Sequence, residues 1–124
     1  MNESTVRELV DCFLDAIEAR DFEQAQQCLS ADEFLYTSPV ETFDNAADFI
    51  ADINRVGPIL KRIERRKLFV DGDQACAIFN LITTMDALAT MRIAQWMRAR
   101  DGKIVSIEVF FDAHAYSSMF ETLN

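Results

Sequence analysis

The chain has 124 residues, of which 50% are hydrophobic, and it carries a formal net charge of −9. With only three glycines and two prolines, this composition favours one globular domain over residues 1–124 and excludes long disordered linkers. The negative charge repels phosphate backbones and anionic lipid surfaces. We therefore expect neither nucleic acid nor a membrane among the partners.

The N-terminal sequence and the cysteines favour the cytoplasm. The first residues, MNESTVREL, lack the basic start and apolar centre of a signal peptide, and no apolar run approaches the roughly 18 residues that a membrane span needs. Cys12, Cys28 and Cys76 are far apart, odd in number and set in apolar stretches, which is typical of free thiols in a reducing compartment. We expect a cytoplasmic protein that uses no metal or other cofactor.

Helical periodicity dominates the start of the chain. Thr5 and Glu8 have the spacing of a capping box, and apolar residues then recur at helical intervals. A second, shorter helix is predicted from Phe22 to Leu29. These two helices should pack their apolar faces against a common core.

A short strand and a third helix follow. Residues 34–37 are β-prone, and the strand is predicted to end at Ser38-Pro39, because proline cannot donate a ladder hydrogen bond. Asp44 is predicted to cap a helix that ends at Gly57.

From about Lys61 the apolar period changes from helical to two. This alternation predicts four strands, at residues 63–70, 74–85, 88–99 and 103–111. Their connections are short, and two contain Asp-Gly pairs that suit tight hairpins. A last helix is predicted from Ala113 to about Leu123. Helices followed by an antiparallel meander indicate an α+β fold, with helices on one face of a strongly curved sheet.

Two stretches near the ends of the chain carry a family pattern. The first helix is followed by RDFE at 20–23 and CLSAD at 28–32; RARDGKIV at 98–105 is followed by EVFFD at 108–112. This pattern resembles SnoaL-like proteins of the NTF2-like superfamily. The resemblance implies a cone-shaped fold around one apolar pocket. That superfamily includes steroid isomerases, aldol cyclases, epoxide hydrolases, dehydratases and non-catalytic binding domains, so the fold alone selects no activity.

The steroid-isomerase branch of the superfamily places a general-base aspartate before a proline at the end of the first strand, and an oxyanion-holding tyrosine in the first helix. The matching positions here are Ser38 and Phe13. Serine is not a usable base at neutral pH and phenylalanine cannot donate a hydrogen bond. The resemblance therefore argues against isomerisation by that pair.

The cyclase-like branch keeps an aspartate at the end of the last strand, ten residues after the hairpin glycine. Asp112 has this position relative to Gly102, although the histidine of the cyclase pattern is matched by Ile107. Asp112 is thus the candidate acid–base residue. Alternatively, Asp112 caps a helix that starts at Ala113.

Other candidates are weaker. Glu108 would share a strand face with Asp112, because side chains alternate along a strand, but a salt-bridged sheet residue explains it equally well. His114 is the only histidine; it could act as a base near neutral pH, and one histidine alone is not a metal site. Trp96 fits the core or a dimer interface as well as a ligand pocket. The residues predicted to line the pocket are Tyr36, Arg92, Gln95, Trp96 and Phe110.

Two functional hypotheses follow. In the first, the protein binds an apolar small organic molecule and, if it is an enzyme, Asp112 transfers protons while Arg92, Gln95 or Tyr36 orients the ligand. In the second, it is a non-catalytic domain whose outer sheet face serves homodimerisation or the recognition of a protein partner. The apolar residues predicted to form that outer face are Met91, Ile93, Met97, Val105, Ile107 and Val109.

Overall fold

The computed structural model describes residues 2–85 and 89–114. In chain order the elements are α1 (Glu3–Glu18), α2 (Phe22–Gln27), β1 (Leu35–Thr37), β2 (Thr42–Phe43), α3 (Ala46–Val56), a 3-10 turn (Gly57–Ile59), β3 (Leu60–Asp71), β4 (Gln74–Thr83), β5 (Thr90–Arg100) and β6 (Lys103–Phe110). Ala113 and His114 are helical, and the rest of the predicted last helix lies outside the described residues, as does the predicted connection at 86–87. No helix within these ranges is long and apolar enough to cross a membrane.

Asparagine side chains cap α1 and α3. The Oδ1 atom of Asn2 accepts a hydrogen bond from the Thr5 amide at 2.8 Å, and that of Asn45 accepts one from the Asp48 amide at 2.8 Å. The predicted caps, Thr5 and Asp44, are therefore wrong. Asparagine, aspartate and threonine all cap well, so residue type alone did not choose between neighbouring candidates.

The strands form one mixed sheet in the order β2-β1-β6-β5-β4-β3. β1 pairs with β6 in parallel, and the other neighbours are antiparallel. The pairing register shifts twice along β3, and once between β5 and β6, where Val105 of β6 is the extra residue. Such bulges bend and twist long strands. The prediction of an α+β fold with helices on one face of a curved sheet is confirmed. The two-residue strand β2 was not predicted.

Ion pairs and a hydrogen bond connect helix α1 to the edge strand β3. The Arg65 guanidinium contacts the carboxylates of Asp11 and Asp15 at 2.9 and 2.8 Å, and the Glu18 carboxylate accepts a hydrogen bond from the Ile63 amide at 2.6 Å. The inner face of the helix supplies the core residues Val6, Val10, Phe13, Leu14, Ala16 and Ile17. These ties hold α1 across the concave side of the sheet.

The side chain of Arg20 stabilises the turn between α1 and α2. Arg20 has a φ of 59°, a left-handed conformation that costs free energy for a residue with a Cβ. Its guanidinium donates hydrogen bonds to the carbonyl oxygens of Gly57 and Leu60. These bonds join the helical turn to the segment that leads into β3.

The inner and outer faces of β5 and β6 are opposite to those predicted. Ile93, Met97, Ile107 and Val109 were expected to face outward, yet each is at most 8% exposed and belongs to the core. Since side chains alternate along a strand, an error of one residue moves the whole set to the other face. The proposed dimer surface built on these residues is therefore wrong.

Candidate functional site

A cavity of about 200 Å³ lies between the concave face of the sheet and helices α1–α3. Most of its wall is apolar, which suits an organic ligand with little charge. Among the described residues, six polar side chains line it: Tyr36, Ser38, Glu41, Asp52, Thr83 and Gln95. The apolar wall includes Phe13, Leu14, Ile17, Phe22, Phe49, Ile53, Leu60, Ile63, Phe79, Leu81, Met91, Ile93, Val109 and Phe111.

The turn between β1 and β2 positions Glu41 in the wall of this cavity. The Ser38 hydroxyl oxygen accepts hydrogen bonds from the amides of Val40 and Glu41 at 3.3 and 3.1 Å, and the Ser38 amide donates to the Glu41 carbonyl at 2.9 Å. Serine stabilises turns in this way. The backbone that carries the Glu41 carboxyl is therefore fixed.

Glu41 and Asp52 form a carboxyl pair. Asp52 projects from α3 into the same cavity, where its carboxylate interacts electrostatically with the Glu41 carboxyl group. Burial and the neighbouring Asp52 raise the pKa of Glu41 above its usual range, and Arg55 opposes this rise. Arg55 contacts the Asp52 Oδ1 atom at 2.6 Å, and the Asp52 side chain is only 19% exposed. One carboxyl is thus paired with a cation while the other favours its protonated form.

Gln95 is a buried amide within the apolar wall. It is 8% exposed, and the only hydrogen bond of its side chain within residues 2–85 and 89–114 runs from Nε2 to the Met97 thioether at 3.5 Å. Sulfur is a weak acceptor, and buried amides normally have stronger partners. Gln95 therefore keeps hydrogen-bonding capacity inside the cavity.

Aromatic rings form the wall beside the carboxyl pair. Tyr36 stacks on Phe49 with ring centroids 4.4 Å apart, and Phe34 and Phe43 lie 5.4 and 6.2 Å from the same ring. Stacked rings keep their positions well. Of these rings, those of Tyr36 and Phe49 line the cavity, to whose wall Glu41 and Asp52 also belong.

The two positions at which the family resemblance argued against isomerisation do border the cavity. Phe13 contributes only apolar surface, and Ser38 uses its hydroxyl to hold its own turn. A carboxyl is nevertheless present in that turn, three residues after Ser38, at Glu41.

Asp112 and His114 lie after the end of β6, and neither lines the cavity. Both are exposed, and the Asp112 Oδ1 atom accepts a hydrogen bond from the His114 amide at 3.0 Å. This is the geometry expected when Asp112 is the N-cap residue of a helix that starts at Ala113. The structure therefore favours the capping alternative for Asp112.

The other predicted residues divide between the two faces of the sheet. Tyr36 and Gln95 line the cavity. Arg92, Trp96, Glu108 and Phe110 alternate to the outer face instead, which corrects the prediction that three of them line the pocket. Trp96 there donates to the Gln74 Oε1 atom at 3.0 Å and lies under the Arg98 guanidinium, 4.7 Å from the ring centroid.

Sequence reasoning missed Glu41 and Asp52. One signal could have found Glu41: it is a carboxylate in the short segment that follows the first strand, near the place where the steroid-isomerase pattern has a base. No feature of the sequence distinguished Asp52, because acidic residues on a helix are usually solvated. Within the described ranges, no cluster of three potential metal ligands occurs.

The curved mixed sheet with helices across its concave face defines an NTF2-like fold. The SnoaL-like domain model matches residues 10–107, and the chain therefore belongs to the SnoaL-like family. No curated protein matches the chain.

Solved structures share the fold at low sequence identity. An NTF2-like protein of unknown function from Cytophaga hutchinsonii is 22% identical, with 93% of this chain and 94% of that chain covered and a TM-score of 0.78. A Kribbella flavida protein, named provisionally as a ketosteroid isomerase, is 20% identical over 89% and 79%, with a TM-score of 0.78. An LEH-like epoxide hydrolase from M. tuberculosis is 14% identical over 98% and 93%, with a TM-score of 0.79.

Proposed function

We propose that this protein binds a neutral, largely apolar molecule bearing an oxygen function, and that Glu41 and Asp52 transfer protons to and from it without a cofactor. The observation that carries the proposal is the pair of carboxyl groups, Glu41 and Asp52, in the wall of an apolar cavity, where each influences the other electrostatically. Two carboxyl groups on the protein surface would be hydrated and would need no functional explanation. Glu41 and Asp52 instead line a cavity in which a bound ligand would replace water.

The two carboxyl groups are suited to different roles. The raised pKa of Glu41 makes it the acid, which donates a proton to a ligand oxygen. Asp52, ion-paired with Arg55, is the base, which accepts a proton from carbon next to a carbonyl. A carboxyl group with a raised pKa beside a second carboxylate is typical of acid–base sites. Proton transfer from Asp52 to Glu41, directly or through water, restores the pair after each turnover.

The same pair also suits the opening of an epoxide. Glu41 would protonate the epoxide oxygen while Asp52 takes a proton from the attacking water, so that one diol forms and no proton is lost. The similarity to an epoxide hydrolase is one of fold alone. Proton transfer at carbon needs only the ligand and the two carboxyls, and we therefore give it first place.

The proposal is tested by hydrogen–deuterium exchange of decalone in deuterium oxide, followed by NMR. We expect the protein to accelerate loss of the protons next to the carbonyl and to bind decalone in a calorimetric titration. Asp112→Asn should exchange at the wild-type rate, because Asp112 lies outside the cavity. Binding without exchange would remove the catalytic part of the proposal, and hydrolysis of cyclohexene oxide would identify epoxide opening instead. Absence of both binding and turnover would overturn it.

Gln95 should orient the ligand oxygen. We expect Gln95→Leu to weaken decalone binding by about fivefold, because the ligand loses a hydrogen bond worth about 1 kcal/mol. Binding of decalin, the matching hydrocarbon, should be unchanged or tighter. Titration of both ligands into both proteins makes the comparison. Equal losses for decalone and decalin would mean that Gln95 shapes the cavity and makes no bond to the oxygen.

We also propose that the outer face of the sheet forms a homodimer. Cross-strand partners place Ile78, Ala94 and Phe110 side by side, with Cys76 and Trp96 in the next row. Three large hydrophobic side chains on this face are about half exposed: Leu35 at 47%, Phe69 at 54% and Phe110 at 51%. Together these residues form what we call the outer patch.

Charge favours a second copy as the occupant of the outer patch. Basic Arg92 and Arg98 border it on β5, while acidic Glu108 lies on the neighbouring strand β6. In a two-fold arrangement the same surface meets itself, so the arginines of one copy can approach the glutamate of the other.

Sedimentation velocity at several concentrations tests the dimer. We expect a dimer for the wild type and a monomer for Phe110→Asp, since the substitution puts a charge at the centre of the outer patch. Gln26→Asp, on the exposed side of α2, adds the same charge elsewhere and should remain dimeric. A wild-type monomer at all concentrations, or a dimer that Phe110→Asp leaves intact, would refute this arrangement.

A further inference from the structure

Two cysteines that are sixteen positions apart in the sequence meet in the fold. Cys12 lies on α1 and Cys28 caps the C-terminus of α2, and their Sγ atoms are 3.7 Å apart. Gln24 contacts both, through its Nε2 atom to Cys12 and its carbonyl oxygen to Cys28, each at 3.5 Å. Cys76 lies on β4, opposite Trp96 on the outer face of the sheet.

The two thiols differ in their accessibility. Cys28 is 4% exposed, and burial together with the neighbouring Cys12 raises the pKa of its thiol to about 12. Cys12 is half-buried and lines a shallow surface depression between α1 and α2. A small reagent can therefore reach Cys12 first, with Cys28 directly behind it.

The rim of that depression is acidic. Glu8, Asp11, Asp15 and Asp21 line it with Cys12, and Arg65 pairs with two of these carboxylates. The remaining negative charge, together with the net charge of −9, favours cationic reagents and repels anionic ones.

We propose that Cys12 is a site of reversible thiol modification by small cationic disulfides, with Cys28 as the resolving thiol that converts the adduct into a Cys12–Cys28 disulfide. The contact between the two sulfur atoms carries the proposal: closing the bond requires a sulfur–sulfur distance of about 2.05 Å, which these side chains can approach without moving one element past another. The proposal is independent of the ligand and of Glu41.

The chemistry needs one disulfide as oxidant. The Cys12 thiolate attacks one sulfur of cystamine, the cystamine S–S bond breaks, and the released aminoethanethiolate takes up a proton. Cys28 then gives its proton to solvent as its sulfur attacks the Cys12 sulfur, and the second aminoethanethiolate leaves and is protonated. Two protein thiols are oxidised by two electrons, and one cystamine is reduced to two aminoethanethiols.

The cross-link would tie α1 to α2 across the turn that contains Arg20. Both helices border the cavity, with Phe13 from α1 and Phe22 from α2 in its wall. Closing this loop lowers the entropy of the unfolded chain. Oxidation should therefore raise the unfolding temperature and fix one side of the cavity.

The experiment treats the folded full-length protein with cystamine or with oxidised glutathione at equal concentration, followed by intact mass and peptide mapping. We expect a product lighter by two hydrogen atoms, with linked peptides containing Cys12 and Cys28, formed faster with cationic cystamine than with anionic glutathione disulfide. Its unfolding midpoint should exceed that of the reduced protein, and dithiothreitol should reverse both changes. Cys76→Ser should behave as the wild type, whereas Cys12→Ser and Cys28→Ala should form no such link.

Three results would overturn the proposal. The first is a stable mixed disulfide on Cys12 that never resolves. The second is a link that involves Cys76 as readily as Cys28. The third is a Cys12–Cys28 link that forms only in urea, which would show that the folded helices hold the thiols apart.

Discussion

Glu41→Gln is expected to lower the catalysed exchange of decalone about a hundredfold or more while making the protein more stable at neutral pH. Glutamine keeps the shape of the protonated acid and its capacity to donate a hydrogen bond, without a negative charge beside Asp52. It cannot give up a proton, so the acid–base contribution to the rate is lost. Opposite effects on rate and stability are the pattern expected of a functional group kept in an unfavourable environment.

The pH dependence of stability follows from the direction of the Glu41 shift. Its pKa in the folded protein is raised above the ordinary value of 4.5. Between the ordinary and the raised pKa, the folded protein holds a proton that the unfolded chain has released. The free energy of unfolding therefore falls as the pH rises through this window, and it stays lower above it.

Thermal unfolding of both proteins from pH about 4 to pH about 8 checks this sign. The midpoint of Glu41→Gln should exceed that of the wild type near neutrality, and the difference should shrink as the pH falls towards the ordinary pKa of a glutamate. Glu23→Gln, at an exposed position on α2, removes the same charge outside the cavity and is the matched control. A gain from Glu23→Gln as large as that from Glu41→Gln would assign the effect to net charge rather than to the carboxyl pair.

The fold could be predicted from the sequence because its signals are local and repeated. Helical spacing in α1 and alternation from β3 to β6 each extend over many residues, and Asp101-Gly102 adopts the positive φ values of 52° and 80° that its sequence predicts. The strand β2 has no such repetition, since two residues carry no period. Its existence depends on pairing with β1, which is a tertiary contact.

The site was harder to predict because it depends on which elements meet. Glu41 and Asp52 are eleven positions apart on a turn and a helix, and no spacing rule connects them. The family resemblance made Asp112 the candidate, but its exposed side chain accepts a hydrogen bond from the amide of His114. Residue identity was informative only at Tyr36 and Gln95, polar side chains within otherwise apolar segments.

The reversed faces of β5 and β6 have a physical explanation. Both faces of β6 offer apolar side chains, Ile107 and Val109 on one and Phe110 on the other. Because Asp112 was the candidate acid–base residue, the face of β6 that carries Phe110 was predicted to be the inner one. In the structure the helices cover the face of β6 that carries Ile107 and Val109. Burying Glu108 on the opposite face would cost more free energy than leaving Phe110 exposed.

Ile107→Ala should be the most destabilising of the substitutions considered. Ile107 is 1% exposed in the middle of β6, beside Tyr36 of β1 and Met97 of β5. Its truncation removes buried methyl groups and leaves a cavity, with an expected loss of about 2–5 kcal/mol in the free energy of unfolding. Urea unfolding followed by circular dichroism provides the measurement.

The matched control is Phe69→Ala on the outer face. Both truncations are made in the Phe110→Asp variant, which is expected to be monomeric, so that the proposed dimer does not contribute. Phenylalanine loses more atoms than isoleucine in this truncation, yet Phe69 is 54% exposed in the single chain, and we expect a loss of about 0.5 kcal/mol. If residue size decided the outcome, Phe69→Ala would be the more damaging change. If Ile107→Ala proved as mild as Phe69→Ala, then Ile107 would not face the core, and the assignment of the concave face, with the cavity built on it, would fail. The ratio of the two losses therefore tests the orientation of the sheet on which the proposed function depends.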